Sequence, residues 1–456
     1  YYTQGEYYLN SVADQVYLNP MGEVDFKGLS SEIIYMKDLQ EKTGVKMEVI
    51  RHGKYKSAVE PFLAQEMSPE NREQMTVLLN SVWNTIVADI SKSRKLSVAQ
   101  LDAIANSLGA RTPELALANK LVDKVAYEDE YHDMIRAKLK VDKKEKYDIV
   151  SITDYAKTAA STVEDYTKKD IIAVIYAQGE IAGGEGDVNV IGEGSIKRSL
   201  QEARENDDVK AIVLRVNSPG GSALTSELIW REIEITKKTK PVVVSMGNYA
   251  ASGGYYIAAN ADRIFAEPNT ITGSIGVFGM LPNMDQLGKN IGINAEQVKT
   301  HANASGYSVF EPIDENFKGF VLESIEKTYA TFLKRVADGR KMTTEQVDAI
   351  AQGRVWTGVD AHKLGLVDEI GGLDAAIQYA AKLGKTTSYR TENFPEYEKS
   401  FEDLLANFTG MAMFKTKEQL LKEQLGEEGF QMLEQIKRVK SRKGIQAIMP
   451  YEIVIN

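Results

Sequence analysis

The sequence nearly repeats itself, and this repeat constrains the fold more than any other feature. One copy begins at Gly5 with GEYYLNSVADQVYLNPMGEVDFKGL, and a second begins 248 residues later at Gly253 with GGYYIAANADRIFAEPNTITGSIGV. Further along, NTIVADISKSRKLSVAQLDAIA from Asn84 matches ATFLKRVADGRKMTTEQVDAIA from Ala330, an offset of 246 residues. Because this period is far longer than that of a solenoid unit, the sequence predicts a duplicated domain.

The two copies differ at positions where polar chemistry could sit. Ser252 of the second copy aligns with Gln4 of the first, and Lys56 of the first copy aligns with Ala304 of the second. Each copy therefore keeps one polar candidate that the other copy lacks. One active site shared between two diverged copies would produce this complementary loss.

Composition excludes several classes of function. The chain has 456 residues, enough for two or three domains, and a net charge of −10, which argues against a nucleic-acid surface. It contains no cysteine, so a thiol nucleophile, a thiolate metal site and disulfides are excluded. None of its four histidines has a metal-ligand spacing such as HExxH. We therefore predict no metal, no cofactor and no nucleic-acid partner.

The start of the chain lies inside the repeat. The second copy has predicted strands and a glycine loop before Ser252, over roughly 171–249, and the first copy has no counterpart to them. No apolar run approaches the ~20 residues that span a bilayer. We therefore expect the chain to be a fragment whose N-terminal part, with any signal peptide or membrane anchor, is missing.

The second copy alternates between apolar strands and helical patterns. IIAVIYAQGEI (171–181) and AIVLRVN (211–217) have the apolar character of buried strands, and 195–205 has helical spacing. This alternation predicts an α/β fold, duplicated in tandem, with mostly parallel sheets flanked by helices. We predict four segments: a truncated N-terminal copy carrying the lysine (1–130), a connection (131–169), a C-terminal copy carrying the serine (170–385), and a helical extension with a closing strand (386–456; helices Phe401–Phe408 and Lys417–Lys440, strand PYEIVIN).

The NSPGG motif (217–221) follows a buried strand and precedes a predicted helix. Ligands of open α/β sheets bind at that edge of the sheet. Gly220 and Gly221 let the backbone turn so that its N–H groups can face an oxyanion. A plain strand-to-helix turn is the alternative interpretation.

Ser252 is a candidate nucleophile, because it follows a strand and a helix begins at the next residues, Gly253 and Gly254. The N–H groups of Gly253 and Gly220 could together form an oxyanion hole. The alternative is an ordinary helix N-cap serine.

A serine nucleophile needs a base, and Lys56 in GKYKSAVEPF fits that role better than any histidine. A lysine is a general base only when burial lowers its pKa from ~10.4 toward ~7–8. Ser274 in TGSIGVFG could hold the amine by a hydrogen bond, or could be a turn serine. Lys54 illustrates the ordinary alternative for any lysine, a solvated surface charge.

Together the motifs NSPGG, YAASGGYYIA, TITGSIGV and GKYKSAVEPF resemble those of the Ser-Lys signal peptide peptidases of the SppA type, in their double-length form. The similarity spans essentially 1–385, and the closing GIQAIMPYEIVI also resembles that form's C-terminus. The resemblance implies the Clp/crotonase fold built twice. It also implies these roles: Ser252 as nucleophile, Lys56 as general base, Ser274 orienting the lysine, Gly220 and Gly253 as oxyanion donors, and Gly221 and Gly254 in the supporting loops.

The same resemblance implies a serine endopeptidase that degrades cleaved signal peptides at the membrane. Its partners would be hydrophobic peptides, the membrane through an N-terminal anchor absent from this chain, and further copies of itself in a tetramer. Its location would be the periplasmic side of the cell inner membrane. Two alternatives remain, a crotonase-like acyl-binding enzyme and a catalytically inactive membrane-associated scaffold, and they are distinguished by whether Ser252 and Lys56 meet.

Overall fold

The computed structural model describes residues 1–142, 145–160, 167–395 and 446–449. The predicted helices Phe401–Phe408 and Lys417–Lys440 and the strand PYEIVIN lie outside these residues. The helices are α1 (Gln4–Asn10), α2 (Lys37–Thr43), α3 (Glu60–Leu63), α4 (Pro69–Arg94), α5 (Val98–Asn106), α6 (Pro113–Ala118), α7 (Glu128–Leu139), α8 (Ile152–Ala160), α9 (Glu193–Glu205), α10 (Ala223–Thr236), α11 (Gly253–Ala258), α12 (Asp285–Asn290), α13 (Glu315–Arg340), α14 (Thr344–Ile350), α15 (Gly358–Lys363) and α16 (Leu373–Leu383), with a 3-10 turn at Ser57–Val59.

The strands are β1 (Tyr17–Leu18), β2 (Lys46–His52), β3 (Lys124–Val125), β4 (Asp170–Gln178), β5 (Glu180–Ala182), β6 (Gly186–Asp187), β7 (Val190–Gly192), β8 (Val209–Ser218), β9 (Gly220–Ser222), β10 (Val242–Ala251), β11 (Arg263–Ala266), β12 (Ile271–Gly273), β13 (Val277–Asn283), β14 (Val355–Thr357), β15 (Glu369–Ile370), β16 (Tyr389–Phe394) and β17 (Gln446–Ile448).

The described residues pack as two compact units. One contains 1–34, 67–142, 145–160 and 167–168, and the other contains 35–66, 169–395 and 446–449. The segment that carries Lys56 therefore packs in the same unit as Ser252. The four segments drawn from the repeat stay a prediction, because packing does not test which residues descend from which copy.

The first unit is mainly helical. Its strands β1 and β3 form a two-stranded parallel sheet, and α1 and α4 to α8 belong to the same unit. Tyr7 on α1 is fully buried in its core, and the Tyr7 hydroxyl donates to the Leu121 carbonyl at 2.9 Å. This hydrogen bond satisfies the one polar atom of an otherwise apolar side chain.

The larger sheet of the second unit has the order β14-β12-β10-β8-β4-β16, with β11 beside β10 and β15 beside β11. Its pairs are parallel except β12 with β14. In β4, Ile171 and Ile175 pack in the core that includes residues of α9, α10, α11 and α13, whereas Ile172 and Val174 pack in the core with α16. A sheet buried on both faces explains the continuous apolar strands and confirms the predicted α/β class.

A second sheet of the same unit has the order β2-β13-β17-β9-β5-β7-β6. Strand β2 pairs antiparallel with β13, from Val277 opposite His52 to Asn283 opposite Lys46. Because Lys56 follows β2 and Ser274 precedes β13, the two residues lie at the same end of this strand pair.

None of the described helices combines the length and the apolar composition that crossing a bilayer requires.

Candidate active site

Ser252 lies between the end of β10 and the start of α11, with backbone angles φ 55° and ψ −115°. This conformation is strained for a residue with a Cβ atom, and such strain concentrates at functional sites. The Ser252 N–H donates to the Gly273 carbonyl at 2.8 Å, which fixes the backbone there. The side chain makes no capping hydrogen bond to α11, so the hydroxyl does not serve as an ordinary N-cap.

Lys56 lies in the turn after β2 and is fully buried. Its Nζ lies 2.9 Å from Ser252 Oγ, 3.0 Å from Ser274 Oγ and 3.1 Å from the Ser274 carbonyl oxygen. Ser252 and Ser274 are also fully buried. Burial holds the pKa of the Lys56 amine well below its usual range, because an ammonium group loses its hydration there.

The surroundings of Nζ fit a neutral amine, which has two N–H donors and one lone pair. The Ser274 carbonyl oxygen can only accept a hydrogen bond, and the Ser274 hydroxyl lies 3.3 Å from the Gly353 carbonyl, to which it donates. Both Ser274 oxygens are therefore acceptors for the two amine N–H groups. The lone pair is then left for the proton of Ser252 Oγ, which lies 2.9 Å from Nζ and 3.5 Å from its other acceptor, the Gly276 carbonyl oxygen.

Ser274 is held in place by its own backbone. Its φ of 48° lies in the left-handed region, and its N–H donates to the Arg354 carbonyl at 2.6 Å. The residue therefore contributes to the site through both its hydroxyl and its carbonyl oxygen, whereas the sequence suggested the hydroxyl alone.

Gly220 and Gly253, the predicted oxyanion donors, have adjacent backbones. A Cβ atom on Gly220, whose φ is +104°, would lie 2.8 Å from the Gly253 nitrogen. The Gly253 N–H is the first of α11 and has no acceptor within the helix. The Gly220 N–H donates to Ser218 Oγ at 3.1 Å. The oxyanion role of both groups stays a prediction.

Gly221 and Gly254, predicted in the supporting loops, are sites of close backbone approach. A Cβ on Gly221, at φ +155°, would lie 2.0 Å from the Ile181 carbonyl oxygen. A Cβ on Gly254 would lie 2.8 Å from the Ser218 carbonyl oxygen. Gly221 therefore lets β9 lie close to β5, and Gly254 lets α11 lie close to the end of β8.

Two features near Ser252 and Lys56 were not found from the sequence. One is Gly353, whose backbone lies against the Lys56 side chain. The other is β17, which pairs antiparallel with β9 (Ala447 opposite Gly221). Glycines with positive φ are common in turns, so Gly353 in AQGRVW gives no distinct signal.

Lys54 is exposed, as expected. The described residues contain no group of three or more metal-ligating side chains.

Comparison with known proteins gives a family match. The model of the family described as Peptidase family S49 matches residues 1–142 and 234–387. Protease 4 of Haemophilus influenzae is 39% identical over 84% of this chain and 63% of its own length. Protease 4 of Salmonella typhi is 39% identical over 90% of this chain and 67% of its own length. The chloroplastic serine protease SPPA of Arabidopsis thaliana is 34% identical over 82% of this chain and 56% of its own length.

The chain thus spans between 56 and 67% of the length of these relatives. Among solved structures, a ClpP1 mutant from Listeria monocytogenes matches with a TM-score of 0.31 and 16% identity, over 45% of this chain and 94% of that chain. The family assignment therefore rests on the sequence relatives. The family model matches in two segments, which agrees with the duplication predicted from the repeat.

Proposed function

The chain belongs to peptidase family S49, as its motifs predicted, and on that premise we propose that it hydrolyses peptides with Ser252 as nucleophile and Lys56 as general base. The observation that carries this proposal is the 2.9 Å separation of Nζ and Oγ. It falls within the range in which a base can take a proton directly, and both groups are fully buried.

In the proposed mechanism, neutral Lys56 takes the Ser252 proton as Oγ attacks the peptide carbonyl carbon. The negative charge that develops on the carbonyl oxygen is stabilised by the N–H groups of Gly220 and Gly253. The Lys56 ammonium then protonates the leaving amine as the C–N bond breaks. Water, deprotonated by neutral Lys56, hydrolyses the acyl-Ser252 ester and restores the hydroxyl.

A carbonyl group of β17 lies next to the two proposed oxyanion donors. The Ala447 carbonyl oxygen lies against both glycines, 2.1 Å from the place of a Cβ on Gly220 and 3.0 Å from that of a Cβ on Gly253. A peptide carbonyl therefore fits beside the two backbones. For the Gly220 N–H to serve, its hydrogen bond to Ser218 Oγ must be shared with the substrate oxygen or released.

The proposed substrate lies extended between β9 and β13, in the place that β17 fills in this structure, so β17 must leave before a substrate binds. Strand β17 pairs antiparallel with β9 and also with β13, where Phe278 lies opposite Gln446. Ile448 packs with Val59 and Phe278 in a small apolar cluster. Main-chain pairing with apolar side-chain contacts is the usual way in which a sheet edge binds a peptide. This supports hydrophobic peptides, such as remnant signal peptides, as substrates.

The proposal also includes the cellular location of the protein and its assembly. We place it on the periplasmic side of the inner membrane, with an N-terminal anchor outside this chain and assembly into a tetramer. Fractionation of cells that express the full-length protein tests the location, and light scattering of the purified protein tests the assembly. A cytosolic or monomeric protein would contradict these parts and leave the peptidase proposal unaffected.

Two measurements on the full-length protein test the peptidase proposal. We expect it to cleave an internally quenched hydrophobic peptide, and we expect a fluorophosphonate to attach to Ser252, as located by mass spectrometry. An adduct on another serine with no peptide cleavage would contradict it. Turnover of an acyl-CoA ester instead would favour the acyl-binding alternative, and no turnover of either substrate would favour the scaffold alternative.

Replacing Ser274 by alanine is expected to lower kcat about 10- to 100-fold with little change in KM, the cost of losing one hydrogen bond to the reacting amine. The loss stays partial because the Ser274 carbonyl still accepts from Nζ. Ser199→Ala is the matched control, since Ser199 is a buried serine whose hydroxyl donates to the Ser195 carbonyl on α9. Equal effects of the two variants would show that Ser274 has no special role.

A further inference from the structure

The loop between α14 and β14 (Ala351–Arg354) forms one wall of the lysine site. A Cβ on Gly353, at φ +83°, would lie 2.6 Å from Lys56 Cβ and 2.7 Å from Lys56 Cα. A Cβ on Gly276 would lie 3.2 Å from Lys56 Cδ and 2.8 Å from Gly353 Cα. The carbon chain of Lys56 therefore packs against two glycine backbones, and no side chain fits at Gly353 without moving the lysine.

The same loop joins the lysine segment to the Ser274 turn. The Tyr55 N–H donates to the Gln352 carbonyl at 2.9 Å. On the other side, the Gly353 carbonyl accepts from Ser274 Oγ at 3.3 Å and the Gly353 N–H donates to the Ile275 carbonyl at 2.8 Å. The loop thus sets the position of the amine relative to the oxygens that accept its N–H groups.

Contacts with residues other than Lys56 and Ser252 fix the position of the Ala351–Arg354 loop. Gln352 has a φ of 55°, its side-chain amide donates to Asp348 at 2.6 Å, and its N–H donates to the Tyr329 hydroxyl at 3.3 Å. The Arg354 guanidinium lies over the rings of Tyr55, at 4.8 Å, and Trp356, at 4.4 Å. Stacking on Tyr55 fixes the residue next to Lys56.

We infer that the Ala351–Arg354 loop is a positioning element for the general base, in which Gly353 sets the distance from the Lys56 amine to Ser252 and Arg354 fixes the segment through Tyr55. The inference rests on the proposed function and adds residues that touch neither substrate nor the reacting atoms. A displacement of about 1 Å at a catalytic group costs on the order of 100-fold in rate, so the wall matters even though it does no chemistry.

Displacement would also change the proton affinity of the amine, because burial is the cause of the lowered pKa of Lys56. Water reaching Nζ would raise that pKa toward its usual range. The titratable and charged groups on the elements around Lys56 include Lys46, Glu48, Arg51 and His52 on β2, Lys54 and Tyr55 in the turn, Glu60 on α3, Tyr255 and Tyr256 on α11, Tyr329 on α13, Glu345 and Asp348 on α14, and Arg354 in the loop.

The test compares two glycine-to-alanine variants of the full-length protein. Gly292 has a φ of +82°, nearly that of Gly353, but a Cβ there would meet nothing within 4 Å. Gly292→Ala therefore carries the same backbone strain without contact with the lysine. We expect Gly353→Ala to lower kcat about 10- to 100-fold and to move the rising limb of the pH profile to higher pH. Gly292→Ala should keep the parent kcat and profile.

Arg354→Met is a second test variant, for the case in which Gly353→Ala does not fold. It leaves Gly353 in place. It should lower kcat and move the rising limb in the same direction. A folded Gly353→Ala or Arg354→Met protein with the parent kcat and pH profile would overturn the inference.

A measurement without catalysis separates this inference from the proposed function. The difference in unfolding free energy between the parent and Lys56→Met, followed against pH, reports the pKa of the Lys56 amine. The same difference measured in the Gly353→Ala background should show a higher pKa. If the parent cleaves no peptide yet this shift is found, the positioning role stands and the peptidase proposal fails. An unchanged pKa contradicts the positioning role whatever the activity.

Discussion

Replacing Lys56 by methionine is expected to abolish peptide hydrolysis and to make the protein more stable at neutral pH. Methionine keeps an unbranched side chain of similar length but cannot take a proton from Ser252. Removing a member of such a catalytic unit costs at least about 10⁴-fold in kcat. Lys54→Met is the matched control, because Lys54 lies two residues away and is exposed, and it should keep the parent activity.

The stability gain follows from the lowered pKa of Lys56. Between that lowered pKa and the ordinary lysine value of about 10.4, the unfolded chain binds a proton that the folded chain does not. The unfolding free energy therefore rises with pH through this window. Burying the Lys56 amine therefore costs the folded protein most below the folded-state pKa, and this cost disappears above the ordinary lysine pKa. Chemical denaturation at several pH values should show Lys56→Met exceeding the parent most at the lowest pH. A destabilised, active Lys56→Met protein would contradict both arguments.

Replacing Ser252 by alanine is expected to remove hydrolysis to the same extent, at least about 10⁴-fold in kcat, because the oxygen that forms the acyl-enzyme is gone. The double variant with Lys56→Met should lose no more than either single variant, since the two groups act as one unit. Single-turnover cleavage of the quenched peptide measures all three. Additive losses in the double variant would mean that Lys56 and Ser252 act in separate steps.

The sequence contained the main components of the site but not their packing. The complementary loss at Ser252 and Lys56 identified two residues 196 positions apart whose side chains lie 2.9 Å apart in the structure. The apolar runs predicted the parallel sheet correctly, because a strand buried on both faces has no polar alternation. The positive φ of Ser252 could not be predicted, since a strained backbone at a non-glycine residue is imposed by its surroundings.

The contact between Gly353 and Lys56 could not be predicted from the sequence, for a different reason. Gly353 and Lys56 come from distant parts of the chain, and the close approach of their backbones leaves no periodic pattern. Strand β17 has the same difficulty, because a strand of three residues is too short for period-2 alternation to identify its partner. Contacts of this kind are set by tertiary packing.

The most direct test of the central claim, that neutral Lys56 activates Ser252, is the rate at which a fluorophosphonate labels Ser252 as a function of pH. The rate should rise with pH through the lowered pKa of the Lys56 amine, in the range below the ordinary lysine value of about 10.4, and then level off. The rise should be absent in Lys56→Met. A rate that is flat across this range in the parent, or that rises equally in Lys56→Met, would contradict the claim.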